Sequence, residues 1–351
     1  MAVRNITRTL VGAGVMLLTY GNAVAQEVRF SQYQAAPLLL NPAAAGAVTD
    51  PTLGIVYRLQ RLGVIAYKTG YFSAMLPLYG GQRASGSLPG GGIGVGVLSD
   101  LAGESNEWQT YQIDVSGAYV LRLNRPQTQF VSVGIQSSYV RTSIDFSALT
   151  WPSQITYRGF ENPAPPPGTY ATQVSALRFN AGLMWTYDPT RNPWKKTAAY
   201  QLHFGASVSN LNRSDYGFLP DGEASPLVYK GHGGGQFQAN ERLSVSPGFF
   251  IIAQEALVQY TGGATLGVHL LSDRPTVPPD LQLLLGGWYR YGDAFVFLLG
   301  ARASQFDAAL SYDMNASNNR VGIANQSTLE LSMAYRFLDK RTPVLPPTPL
   351  F

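Results

Sequence analysis

Hydrophobic and polar residues alternate along most of the chain. The clearest stretch is 109–123, where every second position from Tyr111 to Leu123 is aliphatic, aromatic or glycine, and the positions between include Gln112, Asp114 and Ser116. Because successive side chains of a β-strand point to opposite faces, this stretch has one apolar and one mostly polar face. The same alternation recurs at 179–188, 200–209, 281–291 and 329–337. The pattern predicts an all-β protein.

The alternating segments define a series of strands. Segments of roughly ten residues with one apolar face and one polar or small face are typical of outer-membrane strands. Because single-chain bacterial barrels have an even number of strands, we expect a fourteenth strand near 227–231 in addition to the thirteen that the pattern indicates. The thirteen are 53–60, 67–79, 92–100, 108–123, 128–141, 177–188, 199–210, 243–253, 256–271, 281–291, 294–303, 306–314 and 328–337.

Composition favours a membrane barrel over a soluble β-sandwich, whose strands also alternate. Only 13% of the residues are charged, against about a quarter in soluble domains. After the leader, no stretch of 18 or more apolar residues suggests a membrane helix, and a closed barrel satisfies its backbone polar groups in lipid. Sandwich strands have a mode of about 5–6 residues, shorter than the alternation at 109–123. We therefore predict a transmembrane antiparallel β-barrel of 14 strands over residues 51–337.

Aromatic residues and long connections fit the same fold. Aromatics near strand ends are expected to form interfacial girdles. Two long connections, 143–175 and 211–236, are predicted to be loops, the second with the sequence GHGGG at 231–235. Long loops of such barrels usually face outside, so both are candidate contact surfaces. The predicted girdle residues are Tyr111, Trp185, Tyr187, Tyr200, Tyr289, Tyr291 and Phe337.

The first 25 residues have the pattern of a signal peptide. Arg4 and Arg8 form a positive region, an apolar run covers 10–20, and Ala23-Val24-Ala25 is a small-x-small cleavage site. A buried N-terminal helix is the alternative. Cleavage would leave Gln26 as the first residue and predicts export, with the barrel integral to the outer membrane. Residues 26–50 then form an N-terminal periplasmic or plug-like segment.

Little in the sequence indicates catalysis. There is no cysteine, which excludes disulfides and thiol chemistry. His203, His232 and His269 lack metal-ligand spacing, and GGGIGVGV at 90–97 lacks the ending of a phosphate loop and favours a strand with glycine on its inner face. A net charge of +4, or +2 without the leader, gives no basis for nucleic-acid binding. We predict no enzyme activity and no cofactor or metal.

The C-terminal end carries a candidate assembly signal. Leu331, Met333, Tyr335 and Phe337 form the apolar face of the last predicted strand. An edge strand that ends in an aromatic residue can pair with the open edge of the assembly machinery before the barrel closes. The tail 338–351 contains four prolines and is expected to be extended and periplasmic. It is either a loose end or a peptide that docks on a partner.

Several motifs together resemble the PorP/SprF family. They are FSQY at 30–33, PLLLNPAAAG at 37–46, GGWYRYGDAFVFLLG at 286–300, LSYDMNAS at 310–317 and ELSMAYRF at 330–337. The resemblance implies an outer-membrane barrel of the type IX secretion system, or of the linked gliding machinery, in Bacteroidota. It implies as partners secreted cargo proteins through their C-terminal domains, and periplasmic ring and peptidoglycan-linked subunits. The proline-rich tail departs from the family's usual ending at the aromatic residue.

The N-terminal motifs predict a docking element. Asn41-Pro42 indicates a turn, because the residue before proline avoids the helical region. We expect residues 30–47 to fold against or inside the periplasmic end of the barrel as a plug, although an ordinary lead-in to the first strand is the plain alternative. The predicted plug or partner residues are Phe30, Ser31, Gln32, Tyr33, Pro37, Asn41, Pro42 and Gly46.

Three functions remain open from the sequence. The first is a non-enzymatic barrel that binds or anchors type IX cargo. The second is a porin or transporter for small solutes, because a barrel of about fourteen strands can leave a lumen that side chains do not fill. The third and weakest is an outer-membrane hydrolase, whose catalytic group would have to assemble in space. Whether the lumen is open separates the first two.

Overall fold

A computed structural model describes the protein over residues 28–338, and we discuss only those residues. Within this range it does not describe 63–64, 81–88, 126, 147–154, 157–158, 161–170, 190–199, 216, 219–223, 241, 271–280, 304 and 317–325. The predicted signal peptide and residues 339–351 of the tail therefore lie outside the described residues.

Fourteen strands of the described chain form a closed antiparallel barrel. Each barrel strand pairs with its neighbours along the chain, and the first strand pairs with the last, from Thr52 opposite Arg336 to Leu62 opposite Gln326. Two further strands, β6 (Ile155–Thr156) and β7 (Gly159–Phe160), pair with each other outside the barrel. The barrel strands are β1 (Thr52–Leu62), β2 (Ile65–Leu78), β3 (Gly91–Ala102), β4 (Trp108–Arg122), β5 (Gln129–Ile144), β8 (Gln173–Tyr187), β9 (Tyr200–Ser209), β10 (Val228–Gln238), β11 (Leu243–Gln254), β12 (Leu257–His269), β13 (Gln282–Arg290), β14 (Ala294–Arg302), β15 (Phe306–Asn315) and β16 (Gln326–Arg336).

The fourteen-strand prediction is confirmed, and β10 is the strand that the alternation pattern missed. The prediction that 231–235 belongs to a loop is wrong, since these residues and His232 lie within β10. Glycines occupy outward positions of β10, so the expected apolar alternation is absent there. A Cβ at Gly233 would lie 2.4 and 2.7 Å from the rings of Phe204 and Phe249. Aromatic rings from the two neighbouring strands thus cover the glycine surface.

The two faces of the wall have the predicted chemistry. In β3, Ile93, Val95 and Val97 are exposed on the outer face, while the glycines between them are buried on the inner face. On β4, the outward Val115 is 59% exposed, whereas its inward neighbours Asp114 and Ser116 are buried. An apolar outer face and a polar or small inner face are what a lipid-embedded barrel requires. No helix in the described part of the chain is long and apolar enough to span a bilayer.

The two ends of the barrel differ in their connections. The start of β1 and the end of β16 lie at one end, which we call the terminal end. The longest connections between barrel strands, β5 to β8 and β9 to β10, lie at the opposite end, which we call the loop end. The two predicted long loops therefore share one end of the barrel. The first is shortened to 145–172 because β5 and β8 extend further than predicted, and the second to 210–227 because β10 begins at Val228.

Aromatic side chains cluster on the outer face near both ends. At the terminal end, the ring of Tyr200 lies 5.6 Å from that of Tyr187 and 6.2 Å from that of Phe237. At the loop end, Tyr289 lies 4.7 Å from Phe295. This distribution matches the interfacial girdles of membrane barrels.

Candidate functional site

Residues 28–48 form a segment that packs on the inner face of the barrel, and we call it the N-terminal segment. It contains a 3-10 turn at Tyr33–Ala35 and helical turns at Pro37–Leu40 and Ala44–Ala47. Proline at the first helical position fits the turn at 37–40, because a proline there loses no helical hydrogen bond. Asn41 is extended, as a residue before proline should be.

The N-terminal segment reaches residues on all fourteen barrel strands. Phe30 packs with residues of β1, β2 and β3, while Leu38, Ala43 and their neighbours pack with residues of β2 to β5 and β8. Residues 39–41, at the centre of the segment, form hydrogen bonds with residues of β8, β9 and β10. Tyr33 and the residues before it contact β11 to β16. The segment therefore has apolar or hydrogen-bonding neighbours around the whole circumference of the barrel.

The FSQY motif is held by a carboxylate of the last strand. Glu330 is fully buried and accepts the backbone N–H groups of Ser31 at 2.8 Å and Gln32 at 2.9 Å. The Gln32 side chain donates to the hydroxyl of Ser311 at 3.0 Å and accepts the hydroxyl of Ser332 at 2.6 Å. The wall of the barrel therefore satisfies both the backbone N–H and the side-chain amide of Gln32.

Charged side chains extend this network across the inner face. The Ser31 hydroxyl donates to Asp313 at 2.5 Å and lies 3.1 Å from the Arg290 guanidinium. Arg290 also pairs with Asp313 at 2.7 Å and Asp293 at 2.6 Å. On the other side of Glu330, the Arg58 guanidinium donates to the carbonyl of Arg29. Pairing of this kind is what makes the burial of charges tolerable.

Tyr33 anchors the segment through aromatic contacts. Its ring stacks on Phe250 at 5.1 Å and meets Trp288 edge-on at 5.7 Å. Such pairs contribute about 0.5–1.5 kcal/mol beyond the area they bury. Burial raises the pKa of the Tyr33 hydroxyl above its ordinary value, so this side chain stays neutral.

Asn41 forms a second polar anchor, 0% exposed. Its amide nitrogen donates to the carbonyl oxygens of Leu183 at 3.0 Å and Ala206 at 3.3 Å, and lies 3.2 Å from Nε2 of His232. Its side-chain oxygen accepts the backbone N–H of Ala43 at 2.9 Å. The amide therefore joins β8, β9 and β10 and also shapes the turn before Pro42.

Inner-face side chains pair with the backbone carbonyls of the helical turns. The last carbonyls of a helix have no partner within it and need one elsewhere. The partners come from three strands, as Gln136 donates to the carbonyl of Leu38 at 3.1 Å, Lys230 to that of Leu39 at 2.7 Å and Ser207 to that of Leu40 at 2.7 Å. The turns at 37–40 thus depend on the barrel for their hydrogen bonds.

Inward glycines leave room for the segment. A Cβ at Gly92 would lie 1.8 Å from the carbonyl oxygen of Ala45, and one at Gly134 would lie 2.4 Å from the backbone nitrogen of Ala43. A Cβ at Gly182 would lie 1.9 Å from the side-chain oxygen of Asn41. The backbone of the segment therefore approaches β3 and β5, and the Asn41 side chain approaches β8, more closely than a residue larger than glycine would allow.

A cavity remains beside the segment. Residues 31–35 line one side, and inner-face residues of β11 to β16 line the other. The N-terminal segment and the barrel wall therefore both contribute to the lining of this cavity.

The structure separates the predicted site residues into two groups. Phe30, Ser31, Gln32, Tyr33, Pro37, Asn41, Pro42 and Gly46 all belong to the N-terminal segment and are mostly buried. Leu331, Met333, Tyr335 and Phe337 are exposed on the outer face of β16 and its end, with the rings of Tyr335 and Phe337 4.8 Å apart. The roles assigned to the two groups, plug and assembly signal, stay predictions.

Sequence reasoning missed the residues that receive the N-terminal segment. Glu330, Asp313 and Arg290 are charged residues at inward positions of predicted strands, in a chain with few charges. A charged residue at an inward position of a strand was the signal in the sequence that could have identified them. The sequence does not indicate which residue each of them contacts, because residues that contact each other inside the barrel can be hundreds of positions apart.

No group of three His, Cys, Asp or Glu side chains in the described residues could hold a metal ion. His203 and His232 lie on the inner face with ring centroids 6.2 Å apart. His269 is also on the inner face, 3.1 Å from the Gln282 amide nitrogen. The polar neighbour of His232 is the Asn41 amide of the N-terminal segment, and that of His269 is the Gln282 amide of the wall.

A closed barrel with an apolar outer face, aromatic girdles and a polar inner face defines an outer-membrane β-barrel protein. The family model described as "Type IX secretion system membrane protein PorP/SprF" matches residues 22–335. The chain belongs to this family, so the resemblance carried by its motifs is confirmed. The protein is thus an outer-membrane barrel component of type IX secretion.

Solved structures of other barrels are similar to this chain at low identity. A Pseudomonas aeruginosa FadL homologue has 12% identity and a TM-score of 0.43, and the match covers 85% of this chain and 93% of that one. The deltaS2S3 mutant of the monoaromatic hydrocarbon channel TodX has 12% identity and a TM-score of 0.47, with 86% and 93% covered. The comparison with curated proteins found no match.

Proposed function

We propose that this chain is a non-enzymatic anchor of the outer membrane that binds secreted cargo, through the C-terminal domains of that cargo, and periplasmic ring subunits. In this proposal residues 1–25 direct export and 51–337 span the membrane. The terminal end then faces the periplasm and the loop end faces outside, following the usual orientation of such barrels.

The N-terminal segment carries this proposal. Apolar packing and hydrogen bonds connect it to residues on all fourteen strands, and its FSQY motif is held by buried charged groups. A segment held in this way acts as a plug and stiffens the barrel, which suits an anchor better than a free diffusion path. A segment that only connected the N-terminus to β1 would not require a buried carboxylate to accept its backbone N–H groups.

The loop end is the proposed cargo surface. The connections at 145–172 and 210–227 are far longer than the neighbouring turns at 255–256 and 291–293. Their described residues include Phe218, whose ring lies 5.6 Å from the exposed Trp108. Aromatic side chains in long loops are favourable contact groups for a protein partner.

Affinity purification from native membranes tests the cargo proposal. A variant in which 146–171 is replaced by a short Gly-Ser turn should keep its barrel, seen as a heat-modifiable band on SDS gels. It should lose the co-purified cargo and retain periplasmic subunits. The matched control replaces Glu255-Ala256 by Asn-Gly in the short turn at the same end and should retain both. Cargo binding that survives the loop replacement would contradict the proposal for this loop.

A transporter for small solutes is the second candidate, and the cavity between the N-terminal segment and β11 to β16 favours it. Planar-bilayer measurements on purified protein distinguish the two candidates. An anchor with a plugged lumen should give no steady conductance, whereas a porin should give discrete open levels with the wild-type chain.

A further inference from the structure

The cavity beside the N-terminal segment extends from the terminal end of the barrel toward the loop end. Arg302 and Asp307, at the terminal ends of β14 and β15, line one part of it. Val296 and Trp288 line the deeper part, next to Tyr33. Six residues of β14 separate the two levels, which is about 20 Å at about 3.3 Å per residue of strand.

The chemistry of the cavity changes with depth. Its deep lining is largely apolar and includes Leu284, Leu298 and the edge-on aromatic pair of Tyr33 and Trp288. At the terminal end, Asp307 accepts two hydrogen bonds of 3.0 Å from Arg336 and one of 3.2 Å from Arg302. A peptide that fits this cavity would place apolar residues against the deep lining and polar or charged residues near Arg302 and Asp307 at the terminal end.

The chain itself supplies such a peptide at this end. After Arg336 of β16, the backbone N–H of Phe337 donates to Pro51 at 2.9 Å, and residues 339–351 follow directly. They begin with the charged residues Asp339, Lys340 and Arg341 and continue as TPVLPPTPLF at 342–351. A proline-rich chain extends about 3.1 Å per residue, so these residues can span about 40 Å, which is enough to turn back and reach the cavity.

We propose that residues 343–351 fold back into this cavity and bind there as an intramolecular ligand. Extended proline-rich peptides dock in grooves lined by aromatic residues, since little conformational entropy remains to be lost. Attachment at the rim gives the tail a high effective concentration at the cavity, so weak contacts suffice. The inference concerns the barrel and its own tail and does not rest on the role in secretion.

Disulfide trapping in the full-length protein tests the proposal, because the chain has no cysteine of its own. Ala309, whose inner-face position lines the cavity, and Leu350 in the tail are replaced together (Ala309→Cys with Leu350→Cys). Mild oxidation should give an intramolecular disulfide, detected by mass spectrometry of peptides from the monomer band. In the control, Phe306→Cys, exposed on the outer face at the same end, replaces Ala309→Cys and should give little of it.

A second measurement uses Ala309→Cys alone, in the full chain and in a chain ending at Leu338. A docked tail should slow modification by a thiol reagent at least about tenfold relative to the shortened chain. Heat modifiability on SDS gels verifies that each variant is folded. Equal trapping at 306 and 309, trapping only between molecules, or equal reactivity with and without the tail would each overturn the proposal.

Discussion

Gln32 and Glu330, 298 residues apart in sequence, bond to each other twice inside the barrel. The backbone N–H of Gln32 donates to the Glu330 carboxylate at 2.9 Å, and the Gln32 side chain donates to the Glu330 carbonyl oxygen at 3.1 Å. Glu330 lies on β16, the strand that closes the barrel against β1. The docking of the N-terminal segment is therefore complete only when the last strand is in place.

Removing the Glu330 carboxylate should destabilise the folded barrel. Glu330→Ala leaves the buried N–H groups of Ser31 and Gln32 without their acceptor, and each unpaired group costs about 1–3 kcal/mol. We expect the free energy of unfolding, measured by urea titration in detergent micelles, to fall by at least about 2 kcal/mol. Leu329→Ala, on the outer face one position earlier, should change it less. Equal effects would show that the carboxylate does not hold the segment.

Changing Asn41 to aspartate should lower the free energy of unfolding more than changing it to alanine. The amide donates to two backbone carbonyls, and a carboxylate in the same place would repel them. We expect Asn41→Asp to lower the free energy of unfolding by about 3–5 kcal/mol, as for an uncompensated buried charge.

Asn240 offers the matched control. Its side-chain oxygen accepts the backbone N–H groups of Arg242 at 2.9 Å and Leu243 at 2.8 Å. Because aspartate keeps both acceptor roles, Asn240→Asp should leave the urea midpoint nearly unchanged. A midpoint for Asn41→Asp as high as that of Asn240→Asp would refute the donor role of Asn41.

Adding a side chain at Gly134 should release the N-terminal segment. Its Cβ would overlap the backbone of Pro42 and Ala43, and overpacking costs about 1–3 kcal/mol. Trypsin should then cleave after Arg29 about tenfold faster or more in Gly134→Val, since cleavage follows the population of the open form. Mass spectrometry of the shortened chain gives the rate. Gly117→Val, with no atom within 4 Å of the added Cβ, should be cleaved at the wild-type rate.

A charge on the outer face should cost more in the middle of the membrane than at its edge. Ile135, within β5, is 70% exposed, and Leu123, just after β4 at the terminal end, is 54% exposed. We expect Ile135→Lys to lower the stability in lipid vesicles by about 2–4 kcal/mol and Leu123→Lys by about 0–1 kcal/mol. The measurement is urea unfolding in vesicles. Equal costs at the two depths would contradict a lipid-facing wall.

Prediction from the sequence succeeded where the information is local. The alternation around Tyr111 and Val115 depends on the geometry of one strand. Patterns of this kind located thirteen strands and, for the clearest of them, the apolar face. It failed at β10, where Gly233 takes an outward position and the rings of Phe204 and Phe249 supply the apolar surface. The apolar surface over β10 thus comes from side chains of the neighbouring strands, so the sequence of β10 does not show the alternation.

The motifs of the N-terminal segment could be recognised, but their environment could not. FSQY at 30–33 marked the segment as a docking element without indicating what receives it. Its receptors, Glu330, Asp313 and Arg290, come from three strands near the other end of the sequence. Likewise, nothing local to Gly134 reveals that the backbone of Ala43 lies against it.

The sequence by itself determined the class of architecture, because a period of two with an apolar face depends on bonds between adjacent residues and on the solvent that each face meets. Only the tertiary structure decided which inward residues meet in the lumen. That depends on closure, which brings Thr52 opposite Arg336 and so sets the register of β1 and β16. Closure brings the inner faces of all fourteen strands around one N-terminal segment, which no local pattern encodes.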